Sequence, residues 1–272
     1  MRAAEWIQLA FVSIFALAAW LRPLERPRRV RVTALALVAI AGIAAARFSS
    51  HWISPLASSV VRDWLPAALL LVPYWQVGQF FTGPNPATEE RLANFDRAFF
   101  RWLGVQPAHA RISTGLAAYF QLAYLMVYPL IPLSLVALYK TGMRSKVDFY
   151  WLVVLLTTYL CYALTPFIRA LPPRVLPGYD TFRMPPTWVG SLNRGILDGA
   201  GIQAITCPSG HVASSMAGAL VLLRLEPWVG AIFLWAALSI AVATVLGGYH
   251  YVADVLLAIA IAVVVFAATI CI

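Results

Sequence analysis

The sequence predicts an all-α protein, a polytopic bundle of helices set in a membrane. Three observations carry that prediction. Of 272 residues, 61% are hydrophobic and only 11% charged, where a soluble domain runs at roughly one quarter charged. The mean hydropathy is +0.78. The apolar residues fall in continuous runs close to the ~20 residues that a spanning helix needs, rather than alternating as the strands of a membrane barrel do.

Eight runs qualify as candidate spans, and they order the chain. Residues 4–21 end in Trp20-Leu21-Arg22 with no small-residue cleavage site, and the basic region follows the run instead of preceding it, so it reads as a retained span. Residues 22–31 hold five arginines and two prolines and read as a basic loop. Residues 32–46 are a short second run rich in Ala and Val. Residues 47–63, with Arg47, His51, Trp52, Arg62 and Asp63, read as an interfacial connection. Residues 64–81 are the third run. In the polar stretch that follows, the turn Gly83-Pro84-Asn85-Pro86 leads into a segment where Leu92, Phe95, Phe99, Trp102 and Leu103 recur at helical spacing between charges. That pattern predicts an amphipathic helix on the membrane surface, serving as a docking helix or as a gate for lipid entry.

Residues 113–139 form a long run in which Pro129 and Pro132 predict a kink or tilt. A short basic loop, 140–148, precedes the fifth run at 149–167. Residues 168–207 are too polar to span and show no helix or strand pattern; connections of that length are usually functional. The last three runs are 208–223, 228–247 and 251–271.

The net charge of +9 does not point to nucleic acid, because no basic patch lies on a polar domain. The arginines sit in loops beside spans, where they anchor to headgroups and set topology. Cys161, Cys207 and Cys271 are odd in number and lack paired spacing, so neither a disulfide framework nor a zinc site is indicated.

Two polar stretches interrupt the last apolar third: Thr206-Cys207-Pro208-Ser209-Gly210-His211 and Gly247-Gly248-Tyr249-His250-Tyr251-Val252-Ala253-Asp254. Ionisable groups at membrane depth are costly and mark function. If the chain is helical from Tyr251, His250 and Asp254 share a face, and the carboxylate would fix the imidazole tautomer and raise its basicity. A structural His–Asp bond is the plainer alternative. Pro208 suits the first position of a helix. Ser209, Gly210 and His211 would then present free amides at a positive helix end, an anion site, and Gly210 would let a phosphate approach closely. Two spans separate the motifs, so both lie on one membrane face together with Arg169, Arg174, Arg183 and Arg194 of the long connection, any of which could fork onto phosphate oxygens. No carboxylate cluster able to hold Mg²⁺ lies near them.

The two stretches resemble the second and third signature motifs of the type 2 phosphatidic acid phosphatase superfamily, which also contains vanadium haloperoxidases. Pro208-Ser209-Gly210-His211 matches the core of the second motif, and Gly248-Tyr249-His250 with Asp254 matches the third. The resemblance covers about residues 64–271. It implies a six-helix core at 64–272 behind an N-terminal segment, 1–63, of about two spans. The sequence departs from the family pattern in three places. Arg174 is followed by Val175 and not by proline, Phe167 stands where the first motif has lysine, and Thr244 stands where the third has arginine. Pro172-Pro173-Arg174 and the Gly-Gly-Tyr-His-Tyr wording are most similar to the branch of the inositol phosphorylceramide synthases.

What the resemblance implies is a metal-independent enzyme with no cofactor, acting on a membrane lipid phosphate. His250 would attack phosphorus and form a phosphohistidine, Asp254 would orient it, and His211 would protonate the leaving alcohol. Ser209, Gly210, Arg174 and Arg169 would bind the phosphoryl oxygens. The expected activity is a lipid phosphatase, with transfer of a phospho-headgroup to an alcohol as the first alternative and a non-catalytic lipid-binding protein as the second. Family members carry the site on the extracytoplasmic face. With eight spans, that puts the basic segment 22–31 outside, against the positive-inside rule.

Overall fold

The computed structural model describes residues 1–271 apart from Asp180 and Gln203. Among the described residues there are twelve α-helices and no strand. The two N-terminal runs are α1 (Ala3–Leu21) and α2 (Arg26–Phe48). The third is a helix broken at Leu70 into α3 (Pro55–Leu69) and α4 (Leu71–Gly78). The amphipathic segment is α5 (Pro86–Trp102). The fourth run is α6 (Thr114–Leu125) and α7 (Val127–Lys140), and α8 (Val147–Leu164) is the fifth. After the long connection, which contains α9 (Trp188–Ala200), come α10 (Gly210–Leu225), α11 (Pro227–Leu246) and α12 (Val252–Ile270). Six of these segments are long and apolar enough to cross a membrane; the bent pair α6–α7 makes a seventh, and α10 is apolar but only 16 residues long. The protein is an integral, multi-pass membrane bundle.

Several boundaries differ from the sequence reading. Most of the basic segment 22–31 is helical, because Pro27 sits in the first turn of α2, where its missing N–H costs nothing. Residues 55–63 belong to α3 and not to a connection. The α6–α7 pair bends by 61° at Met126, where Pro129 and Pro132 remove two donors from the next turns. The connection 168–207 is not free of helix: Thr187 caps α9 by accepting from the Gly190 amide at 3.0 Å.

Helices α8 and α10 occupy the centre. Trp151 and Tyr150 of α8 are fully buried, and α10 packs against α7, α8, α11 and α12. Its run of Ala213, Ser214, Ser215, Ala217, Gly218 and Ala219 lets the neighbours approach closely. The outer helices turn Trp6, Ile14, Leu37, Val38, Ile232, Trp235 and Val264 outward, as a lipid-facing surface requires. A buried polar network ties the end of the bundle where α8 begins. Asp63 accepts from Arg2 and, at 2.9 Å, from Arg144, and its carbonyl accepts from the Trp151 indole at 2.8 Å. The two motifs meet at the other end.

Helix α5 lies at the motif end with part of its apolar face outward and Leu92 packed inward. Phe95, Trp102 and Leu103 are exposed, while Ala93 and Asp96 of the opposite face are buried against the bundle.

Candidate active site

The two motifs come together through the backbone. Ser209 is the N-cap of α10, its hydroxyl accepting from the Val212 amide at 3.4 Å. Pro208 therefore precedes the cap and does not occupy the first helical position. The amides of Ser209 and Gly210 are engaged: Ser209 donates to the Asp254 carbonyl at 3.3 Å and Gly210 to the Thr206 hydroxyl at 3.0 Å. Two of the three amides expected to be free, those of Ser209, Gly210 and His211, are therefore committed. The first of these bonds joins the second motif directly to the third.

In the third motif the chain turns at Gly248, whose φ of +63° is a left-handed conformation that favours glycine. The next two amides, of Tyr249 and His250, both donate to the Thr244 carbonyl at 2.8 and 3.1 Å. Thr244, at the position where the resemblance expects arginine, is fully buried. Helix α12 begins at Val252, so His250 stands two residues before it and not within it. The imidazole still reaches the first turn: His250 Nδ1 lies 3.0 Å from Asp254 Oδ2, with both side chains buried. With the Nδ1 proton directed at the carboxylate, Nε2 carries the free lone pair.

His211 and His250 lie with ring centroids 5.9 Å apart. An aromatic column backs them. His211 stacks on Tyr124 (5.6 Å, 10° between planes), Tyr124 stacks on Tyr249 (4.0 Å, 17°), and the Arg174 guanidinium sits 4.8 Å from the Tyr249 ring centroid. The Arg174 amide donates to the Gly248 carbonyl at 3.0 Å. Its guanidinium makes no hydrogen bond or ion pair among the described residues, so its donors are open to an anion. Burial pushes the Tyr249 phenol above its ordinary range, against the pull of Arg174. The Tyr249 hydroxyl donates to Gln121 at 3.1 Å, and Asn193 of α9 donates to the same oxygen at 2.8 Å.

Of the seven residues to which the resemblance gives a role, His250, Asp254, His211, Ser209, Gly210 and Arg174 are gathered by these contacts. Arg169 is turned elsewhere and donates to Thr82 at 3.0 Å. Sequence reasoning missed Tyr124, Gln121 and Asn193. Gln121 carried a signal, a polar side chain inside an apolar run; Tyr124 carried none. A cavity of about 370 Å³ opens beside His211 and Gly210, lined by Tyr74, Trp75, Tyr128, Ile131 and Leu197 among others. Among the described residues no cluster of His, Cys, Asp or Glu has the form of a metal site.

The family model of the PAP2 superfamily matches residues 90–268. The chain belongs to the PAP2 superfamily. The match contains both motifs, Arg174 and helices α6 to α11, together with most of α5 and nearly all of α12. No curated protein and no solved structure matches the chain. PAP2 proteins are generally phosphatases or phosphotransferases, and the apolar helices fit a membrane lipid phosphatase-type protein.

Proposed function

We propose that the protein hydrolyses phosphate monoesters or pyrophosphates of membrane lipids through a phosphohistidine. The observation that carries this reading is the pairing of His250 Nδ1 with buried Asp254 at 3.0 Å, with His211 5.9 Å away across the same site. His250 Nε2 attacks phosphorus; an N–P bond forms as the bond to the lipid oxygen breaks. The departing oxygen keeps the electron pair and takes a proton from the His211 imidazolium. Neutral His211 then removes a proton from water, whose oxygen attacks phosphorus; the N–P bond breaks, phosphate leaves and both histidines are restored. Asp254 holds the tautomer and offsets the charge on His250. Arg174 stabilises the phosphoryl oxygens, and the N-terminus of α10, where Ser209 and Gly210 stand, adds its dipole although their own amides are committed. Arg169 stays outside this arrangement unless Thr82 releases it. The cavity beside His211 takes the apolar part of the substrate.

A second reading is transfer to a lipid alcohol, as in the inositol phosphorylceramide synthase branch. It is favoured by the apolar lining of that cavity, which brings lipid-dissolved alcohols to His211 more readily than water. One experiment separates the readings. Detergent-purified protein is given a panel of lipid phosphates with and without lipid alcohols, and free phosphate and transferred headgroup are both scored. Activity abolished in His250→Ala supports catalysis, and the product ratio identifies the acceptor. Equal turnover by wild type and His250→Ala would overturn both.

A further inference from the structure

Helix α12 starts without a cap of its own. Its N-cap is Tyr251, which makes no side-chain capping bond; the Tyr251 hydroxyl is committed to the Leu171 carbonyl at 3.1 Å. The first turn is Val252-Ala253, buried at Val252, and unpaired amides in such a place are costly. The missing acceptor comes from another helix. Asp96 of α5, only 1% exposed, accepts from the Val252 amide at 3.0 Å through Oδ1, and its second oxygen accepts from the Tyr179 hydroxyl. One turn pair earlier on the same face of α5, Glu89 accepts from the Leu171 amide at 2.8 Å. Asp96 and Glu89 of α5 therefore hold both the first turn of α12 and the connection that receives Tyr251.

The capped amide has a particular place in the sequence. Val252 lies two residues after His250 and two before Asp254, so the turn that Asp96 fixes is the turn that sets the His250–Asp254 geometry. A carboxylate at a helix N-terminus also interacts favourably with the helix dipole, and it does so here from a helix whose opposite face, with Phe95 and Trp102, is exposed. We propose that Asp96 is a positioning residue for the reaction: a capping carboxylate, supplied in trans by the surface helix α5, that holds the first turn of α12 so that His250 meets Asp254 and the phosphoryl group. It touches neither the substrate nor the imidazole. The proposal rests on the reading of His250 as the nucleophile.

The test compares Asp96→Ala with Asp96→Asn, which keeps an acceptor for Val252 and loses the charge. Histidine-selective ¹⁵N NMR in detergent reports the four imidazoles of the chain, with His250→Ala assigning the His250 signal. Phosphate release from phosphatidic acid in mixed micelles gives kcat and KM. Asp96→Ala is expected to shift the His250 signal while leaving His51 and His109 in place, and to lower kcat about tenfold or more with KM within about twofold, as a small misplacement of a reacting group does. Asp96→Asn is expected to restore both. An unchanged His250 signal and kcat in a folded Asp96→Ala protein would overturn the proposal, and so would a folded Asp96→Ala protein in which His51 and His109 shift as far as His250. Should Asp96→Ala not fold, Tyr179→Phe takes its place; it frees one carboxylate oxygen and should move the His250 signal in the same direction, and no movement overturns the proposal. A shifted His250 signal in a protein that is inactive on every lipid phosphate would refute the hydrolytic reading and leave the positioning role standing.

Discussion

A close contact at the start of α10 gives the sharpest prediction. From sequence, Gly210 is explained by a phosphate that must approach the backbone. The structure supplies a different constraint. A Cβ built on Gly210 would stand 2.5 Å from Tyr162 Cε1 and 3.2 Å from its Cζ. Ordinary carbon contacts begin near 3.5 Å, so Gly210→Ala forces the first turn of α10 and the Tyr162 ring apart by about 1 Å. The ring has little room to move, because it stacks on Tyr159 at 6.3 Å and packs beside Tyr74 at 6.2 Å. Overpacking of this kind costs about 1–3 kcal/mol. The larger effect falls on the next residue, His211, since a misplacement of ~1 Å at a reacting group costs about 100-fold in rate. The assay is phosphate release by Gly210→Ala, Tyr162→Leu and the double variant. If the helix contact governs, Gly210→Ala loses about 100-fold and the double variant recovers to within about tenfold of Tyr162→Leu alone. Full activity in Gly210→Ala, or a double variant no better than Gly210→Ala, would refute the steric argument and return the glycine to the phosphate.

Three further outcomes follow from the same geometry. Asp254→Asn keeps the shape of the side chain but removes the charge that orients His250, and kcat is expected to fall by roughly 1,000- to 10,000-fold, as in other base–carboxylate pairs; a loss under tenfold would exclude the orienting role. Burial pushes the Asp96 carboxyl up to about 6 from an ordinary 3.8, so between these values the folded protein binds a proton that the unfolded chain does not. Stability from this group is therefore full below about pH 3.8 and is lost as pH rises through about 6, a change of about 3 kcal/mol; thermal unfolding of Asp96→Asn between pH 4 and 8 should lack that decline, and parallel curves for the two proteins would contradict it. The five arginines of 22–31 lie at the end of the bundle that holds the motifs, with Arg22 over the Phe167 ring and Arg28 donating to the Gln79 carbonyl. The positive-inside rule puts that end in the cytoplasm, opposite to what the family resemblance implies. In intact cells a membrane-impermeant maleimide should then label exposed Cys271 and should reach Arg26→Cys only after permeabilisation; the reverse pattern would place the motifs outside.

The bundle was legible because its signal is the crudest one a sequence carries, continuous apolar length, and each of the eight runs corresponds to a helix or a bent pair. What escaped was local. Helix α9 carries Gly190, Gly195 and Gly199 among polar residues, a composition poor in helix propensity, and it holds its place through Asn193 on Gln121, a tertiary contact. The histidines and Asp254 were legible for the opposite reason, since ionisable groups stand out against an apolar background. Asp96 was not: among the charges of an amphipathic helix a carboxylate is ordinary, and only the fold reveals that this one is buried while Arg91, Asn94 and Arg97 stay exposed. Tyr124, one aromatic residue in an apolar run, looks the same whether it fills a core or stacks on His211.

With Arg174 in the phosphate-binding role proposed above, the basic part of the site accounts for a departure from the family pattern. At Thr244 there is no space for a long cation; the residue is fully buried and its carbonyl is occupied by two amides that set the His250 turn. The positive charge enters from the other side. Arg174 is fixed by its own backbone to Gly248, one residue before the aromatic ring on which its guanidinium rests. A Cβ at Gly248 would meet the Arg174 backbone at 3.2–3.3 Å, so the left-handed glycine serves the turn and the close approach of the arginine at once. The guanidinium carbon lies 4.8 Å from the Tyr249 ring centroid, a cation–π contact, and the guanidinium donates no hydrogen bond among the described residues. On that reading the Arg174 cation, the Gly248 turn and His250 form one mechanical unit, joined by the bond from the Arg174 amide to the Gly248 carbonyl.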